Sequence, residues 1–294
     1  MEYNIAIENI SIGDFTFQCR TCGLSNPGQL IIFLHGYPET SYMWEGIMPI
    51  LAHKGYRCLA PDQRGYSAGA RPLMVEDYSI TCLAADVVAF ADYLGAARFH
   101  IVGHDWGSNV AWGVAALHQE RLITTSNLAT FYPAEFEEIY LNNPEQRKRI
   151  QYIFRFLKPE APDVMFADNM AGIRRSWRFL PQSHKDEYAK VFCDKGTIAA
   201  ALKWYAAKYR WFVDPSLDPP QEKYGDLHIP VLSIRGSEDP AQIAEGYAGM
   251  HKYMKGFFTC MQLATGHWMM STMPQFCVPA IIRHIECFSD QPFK

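Results

Sequence analysis

No apolar run in this chain approaches the roughly 18 residues that a membrane-crossing helix needs, so neither a span nor a membrane anchor is expected. There is no basic excess either. The 294 residues carry 27 Lys and Arg against 31 Asp and Glu, a formal net charge of -4, which argues against nucleic acid or an anionic membrane as partner. Residues 1–19, "MEYNIAIENISIGDFTFQC", lack the basic stretch, apolar run and small-residue cleavage site of a secretory signal, and a soluble, cytoplasmic protein is the expectation. Clustered metal-ligand spacing is also missing. Among eight cysteines there is one C-x-x-C pair, Cys19 and Cys22, with no second pair and no histidines at zinc-finger spacing. The thiols read as reduced and structural, a redox or metal role for Cys19 and Cys22 being the alternative. No repeat or low-complexity tract occurs, and a small-molecule substrate fits what remains.

What is present is an alternation of short apolar runs with longer helical patterns, which predicts an α/β fold: a mostly parallel sheet with helices on both faces. The expected strands are "YNIAIENI", "FTFQC", "LIIFLH", "RCLAP", "FHIVGH", "ITTSNLA", "PVLSIRG" and "FTCMQLA". Helices are expected near residues 41–54, 79–94, 107–118, 240–254 and 275–288. The first two strands precede any crossover and predict an antiparallel hairpin. From about Pro133 to Gly225 no buried strand is expected, only helical segments such as "AALKWYAAKYRWF", so a helical insertion between two sheet strands is the simplest account. It ends in the proline-rich "DPSLDPP".

The chemistry concentrates in loops. "IVGHDWGSN" has the G-x-Nuc-x-G layout of a nucleophile elbow, a sharp strand-to-helix turn that exposes one side chain above the sheet. Serine is the usual occupant, and here it is Asp105. The alternative for Asp105 is a structural cap of the following helix. Downstream, "SIRGSEDP" puts Asp239 after a strand, with Glu238 as its close competitor, and "LATGHWMM" puts His267 after the last one. Nucleophile, acid and histidine in that order characterise α/β-hydrolases. Upstream, "FLHGYPET" supplies a His-Gly turn where a second backbone N–H is needed for an oxyanion hole. His35 and His104, each beside a glycine, read as structural.

With these loops assembled, the chain resembles the α/β-hydrolase superfamily, and within it the aspartate-nucleophile branch of soluble epoxide hydrolases and, more distantly, haloalkane dehalogenases. The similarity spans nearly the whole chain. Residues 1–131 and 226–294 correspond to the family's core and 132–225 to its helical cap. The resemblance implies Asp105 as nucleophile, Asp239 as the acid that orients the base, His267 as the base that activates water, and the backbone N–H groups of Trp106 and Tyr37 as the oxyanion hole. It also implies two ring-opening tyrosines, Tyr152 in "QYIFRFLKP" and Tyr205 in "LKWYAAKYRWF". Ala206 stands where the family has Arg or Asn, and Tyr209, one turn on, is the fallback donor.

The residue types support that chemistry independently. A carboxylate, with an unperturbed pKa of about 3.9, is ionised at neutral pH and needs no base to attack an sp³ carbon. The product is an ester, which water can hydrolyse, whereas serine would give an ether, which it could not. The expected activity is conversion of a small apolar epoxide and water to a vicinal diol, with no metal or organic cofactor. A haloalkane dehalogenase would share the triad but requires N–H donors for a halide; Trp106 is present, yet Tyr37 follows His35-Gly36 where an Asn is common. A catalytically silent ligand-binding member of the fold is the third reading.

Overall fold

The computed structural model describes residues 3–289 apart from 215, 219 and 221. In chain order the strands are β1 (Ala6–Ile12), β2 (Phe15–Cys22), β3 (Leu30–Leu34), β4 (Arg57–Pro61), β5 (Phe99–His104), β6 (Leu122–Leu128), β7 (Val231–Gly236) and β8 (Phe258–Leu263). They form a single eight-stranded sheet in the order β1-β2-β4-β3-β5-β6-β7-β8. β1, β2 and β4 pair antiparallel, and every pair from β4-β3 to β7-β8 is parallel. All residues of β3, β5 and β6 are buried, because a central parallel strand is covered on both faces; β3, "LIIFL", is apolar throughout, whereas β6, "LITTSNL", buries hydroxyl and amide side chains.

The helices of the sheet layers are α1 (Met48–His53), α2 (Ile80–Tyr93) and α3 (Trp106–Leu117). Between β6 and β7 the described chain is helical only: α4 (Pro133–Asn142), α5 (Pro144–Arg149), α6 (Ile153–Phe156), α7 (Ala161–Ser176), α8 (Gln182–Phe192) and α9 (Lys195–Tyr209). After β7 come α10 (Ala244–Gly249), α11 (Met269–Thr272) and α12 (Pro274–Phe288). α3 packs on α2 and on β3, β5 and β6.

Two helical expectations need correction. Residues 41–54 are not one helix: a 3₁₀ turn, Ser41–Trp44, capped by the Thr40 side chain, is followed by a turn and then by α1. Pro49 lies in the first turn of α1, the place that tolerates its missing N–H, so the helix restarts there. Residues 240–254 begin as a loop, with helix only from Ala244. β1 begins at Ala6, three residues later than expected.

Chain reversal of strand order about β3 matters for function. β3 sits between β4 and β5, and a crevice forms outside the carboxyl ends of strands where the order reverses. Leu34 pairs with Gly103, so the loops that follow, His35-Gly36-Tyr37 and Asp105-Trp106, emerge side by side. β7 and β8 end at the same rim, Gly236 opposite Leu263, and deliver Asp239 and His267.

Candidate active site

The elbow is steric in origin. A Cβ on Gly107 would lie 2.0 Å from Leu34 O, and one on Gly103 would lie 2.3 Å from Gly107 O. Only glycine at both positions lets β3, β5 and α3 approach this closely. The turn forces Asp105 to φ 53°, ψ -116°, the kind of sparsely populated backbone that clusters at reactive residues. Its side chain makes no capping bond to α3, so the helix-cap reading is excluded.

The carboxylate is held at both oxygens. Oδ1 accepts from the Tyr37 backbone N–H at 2.9 Å, and Oδ2 lies 3.3 Å from His267 Nε2. Opposite, His267 Nδ1 is 2.8 Å from Asp239 Oδ2. Asp239 is buried, whereas Glu238 is exposed, which resolves the one-residue ambiguity at "SED". In the resting site Tyr37 supplies the backbone N–H bonded to the carboxylate. The Trp106 N–H belongs to the first turn of α3, whose N–H groups have no acceptor within the helix.

Charge and burial oppose each other here. Burial would raise the Asp105 carboxyl, but the hydrogen bond and charge of His267, the nearby His104 and the Tyr37 N–H hold it below its ordinary value. Burial would lower His267, but Asp239 and Asp105, on its two sides, hold it well above. Each group favours the charged form of the other.

Aromatic side chains from the helical insertion close the site. Tyr205 packs edge-on against Trp106 at 4.9 Å and against Tyr37 at 5.7 Å. Phe156 bridges Tyr152 and Tyr205, its ring 5.6 and 5.0 Å from theirs. Burial and then the Asp105 charge push the phenols of Tyr152 and Tyr205 well above their ordinary value, and each is close enough to sense that charge. Tyr209 is raised for the same reasons. His35 is buried, bonded to Gly36 O and to the Gln63 N–H, and burial lowers it. His104 spans Glu39 Oε2 at 2.8 Å and His267 O at 2.9 Å, bracing the histidine loop. Cys19 and Cys22 are free and buried. Three apart on β2, they point to opposite faces and share no common partner.

Sequence reasoning missed Lys208. Its Nζ donates to Asn109 Oδ1 at 2.6 Å and lies 5.5 Å from the Trp106 ring. Burial lowers its pKa to about 8, against the Glu222 and Asp105 charges. With Trp106, Tyr209, Phe136, Tyr140 and Phe212 it lines a cavity of about 140 Å³. The sequence pattern shows only a charge in an aromatic helix; its burial depends on packing from four distant segments.

Residues 29–272 match the family model described as the α/β hydrolase fold. The chain belongs to the α/β-hydrolase family. Within that family it is similar to "Epoxide hydrolase A" of Mycobacterium tuberculosis, 43% identical over 90% of this chain and 93% of that protein. It also resembles mouse "Epoxide hydrolase 4", 28% identical over 83% of this chain and 69% of the other. The α/β-hydrolase architecture recurs in the crystal structure of a Bacillus megaterium epoxide hydrolase with an inhibitor, at a TM-score of 0.85, 24% identity and coverage of 95% of this chain and 100% of that one. Among the described residues, no helix is long and apolar enough to cross a membrane.

Proposed function

We propose that this protein is an epoxide hydrolase that works through an ester on Asp105, with residues 132–225 acting as its cap. One observation carries the reading: a carboxylate held by the Tyr37 N–H and paired to His267 sits under Tyr205, which packs on Tyr37 and Trp106 beside it, and its charge reaches the phenols of Tyr152 and Tyr205. A base-free nucleophile beside protonated acids suits opening of a strained C–O bond better than acyl transfer. The names of the relatives support the same substrate class.

In the first half-reaction Asp105 Oδ2 attacks an epoxide carbon, the ring C–O bond breaks, and the alkoxide takes a proton from Tyr152 or Tyr205. Their raised pKa values keep both phenols protonated at neutral pH. The ester leaves Asp105 uncharged. His267 then loses one of the two carboxylates that hold its proton, and its pKa falls toward the range of a base. In the second half-reaction His267 gives up its resting proton to solvent, to be regained from solvent once Asp105 is ionised again. The neutral imidazole then takes a proton from water, hydroxide attacks the ester carbonyl, and the Tyr37 N–H stabilises the oxyanion. The carbonyl–alkoxy bond breaks, His267 returns its proton to the leaving alkoxide, and the proton that ester hydrolysis releases restores the phenol.

A single turnover of styrene oxide in H₂¹⁸O tests this order. Water attacks the carboxyl carbon, so the first diol should carry no ¹⁸O and the label should appear in the Asp105 peptide. Label in the first diol, with none in the enzyme, would mean direct attack by water. Release of halide from simple haloalkanes with no action on epoxides would favour the dehalogenase reading.

The phenols give a second test. Tyr152→Phe and Tyr205→Phe should each slow alkylation, with one donor partly covering for the other. Together they should slow it by about 10²- to 10⁴-fold, the usual worth of general acid catalysis. Rapid-quench measurement of ester formation reads this directly, and an unchanged rate in the double variant would shift the role to Tyr209 or remove it.

A further inference from the structure

The loop that carries Asp239 is not held by its own secondary structure. β7 ends at Gly236 and α10 begins at Ala244, and the residues between are bonded to two side chains of α5. Gln146 is fully buried. Its Nε2 donates to Ala241 O at 2.8 Å, and its Oε1 accepts from the Ile243 N–H at 3.1 Å. Arg149 Nη1 donates to Asp239 O at 2.9 Å and to Gln242 O at 2.8 Å, while its Nε is fixed by Glu145 at 3.0 Å. Within the loop, Asp239 Oδ1 accepts from the Ala241 N–H at 2.8 Å, which leaves Oδ2 for His267 at 2.8 Å. The start of the loop is tied to β8 and the histidine loop by the Ser237 and Glu238 N–H groups, which donate to Leu263 O at 2.8 Å and Thr265 O at 3.0 Å. The carboxylate is therefore aimed by the loop, and residues 239–243 of the loop by α5.

We propose that Gln146 and Arg149 are positioning residues, a latch through which the helical insertion sets how Asp239 meets His267. The proposal rests on the two-step reading above. Tyr152 follows Arg149 by three residues, so one segment carries the acid of the first half-reaction and seats the orienting carboxylate of the second. Loosening the latch should spare alkylation, because Asp105 is already ionised and is held by Tyr37 on the far side. It should impair ester hydrolysis, where His267 depends on Asp239 for tautomer and orientation. In the ester the groups facing the imidazole are Asp239 at Nδ1, the neutral Asp105 ester at Nε2, and the rings of His104 and Trp268 at 5.1 and 4.9 Å. Asp239 is then the carboxylate left to hold its proton, so a weaker contact lowers the pKa of His267.

The test uses Gln146→Ala, Arg149→Met, the pair, and Arg149→Lys as the conservative variant, in the full chain with an epoxide that the parent turns over. Alkylation should stay within about threefold while hydrolysis slows by about 10- to 100-fold, the scale of a misplacement near 1 Å. Ester should then accumulate in the steady state, the acidic limb of the hydrolysis rate should move to lower pH, and Arg149→Lys should lie between parent and Arg149→Met. Arg149 is partly exposed, so its variants keep the test in hand if Gln146→Ala does not fold. An unchanged hydrolysis rate and limb in a folded variant overturns the latch, as does an equal fall in both half-reactions. The His267 Nδ1 proton resonance, read by NMR in parent and variants without substrate, separates the two readings. If the parent forms no ester, the two-step reading fails, yet a displaced resonance still supports the latch and an unmoved one overturns it.

Discussion

Asp105→Ala should lose turnover by about 10⁴-fold or more, the scale seen when a covalent nucleophile is removed, while the protein stays folded. The loss follows from bond-making: among the described residues, Asp239 is the other carboxylate at His267, and it is buried behind it. The effect on stability should be small beside that. The backbone at φ 53° strains aspartate and alanine alike, but the variant leaves the Tyr37 N–H without its acceptor. Against this, a buried charge disappears and His267 can shed its proton. The pH dependence carries a further signature. Asp105 is held below its ordinary value, so its contribution to stability is present at neutral pH and lost as pH falls through that depressed value. His267 is raised, so its contribution is present below its ordinary value and lost as pH rises through the raised one. The variant lacks the pair, so the melting difference from the parent should be largest between those limits and shrink on both sides. Diol formation and circular dichroism melts measure both effects. Activity within tenfold of the parent would remove Asp105 as the nucleophile.

The parts of this site legible in the sequence are those that local sterics fix. Gly103 and Gly107 flank Asp105 because backbone carbonyls lie where a Cβ would be, and such a constraint leaves its mark within five residues. Strands β4 and β5 are expected at the residues where they occur, since each has a short apolar centre bounded by turn residues. Pattern failed where the determinant is distant. Periodicity suggested a helix from 240, but residues 239–243 are held open by Gln146 and Arg149 from α5. Residues 41–54 carried helical spacing, and Pro49 divided it. Lys208 lies in a helix and has no local feature that distinguishes it from a solvated charge; only the assembled walls around Trp106 enclose it. The seating of Asp239 is likewise a contact across ninety residues.

His267→Gln should separate the two half-reactions, because each needs a different residue. Alkylation uses a carboxylate that is ionised already, whereas ester hydrolysis needs a base to deprotonate water. Mixed with a reactive epoxide, the variant should accumulate an ester on Asp105 with a mass increase equal to the whole substrate. A haloalkane dehalogenase trapped in the same way would gain the substrate mass less hydrogen halide. Alkylation itself should not be untouched. His267 is among the groups that hold Asp105 below its ordinary value against burial, so the carboxyl rises in the variant and ester formation should fall off at acid pH where the parent still reacts. The Tyr37 N–H and His104 remain to favour the charged form, which keeps the reaction observable at neutral and alkaline pH. Glutamine retains hydrogen-bonding capacity toward Asp239, so the buried acid is not left without a partner. Proteolysis and peptide mass spectrometry locate the adduct. If the variant stays unmodified at alkaline pH with an epoxide that the parent consumes, His267 acts before the carbon–oxygen bond opens and the two-step assignment is wrong.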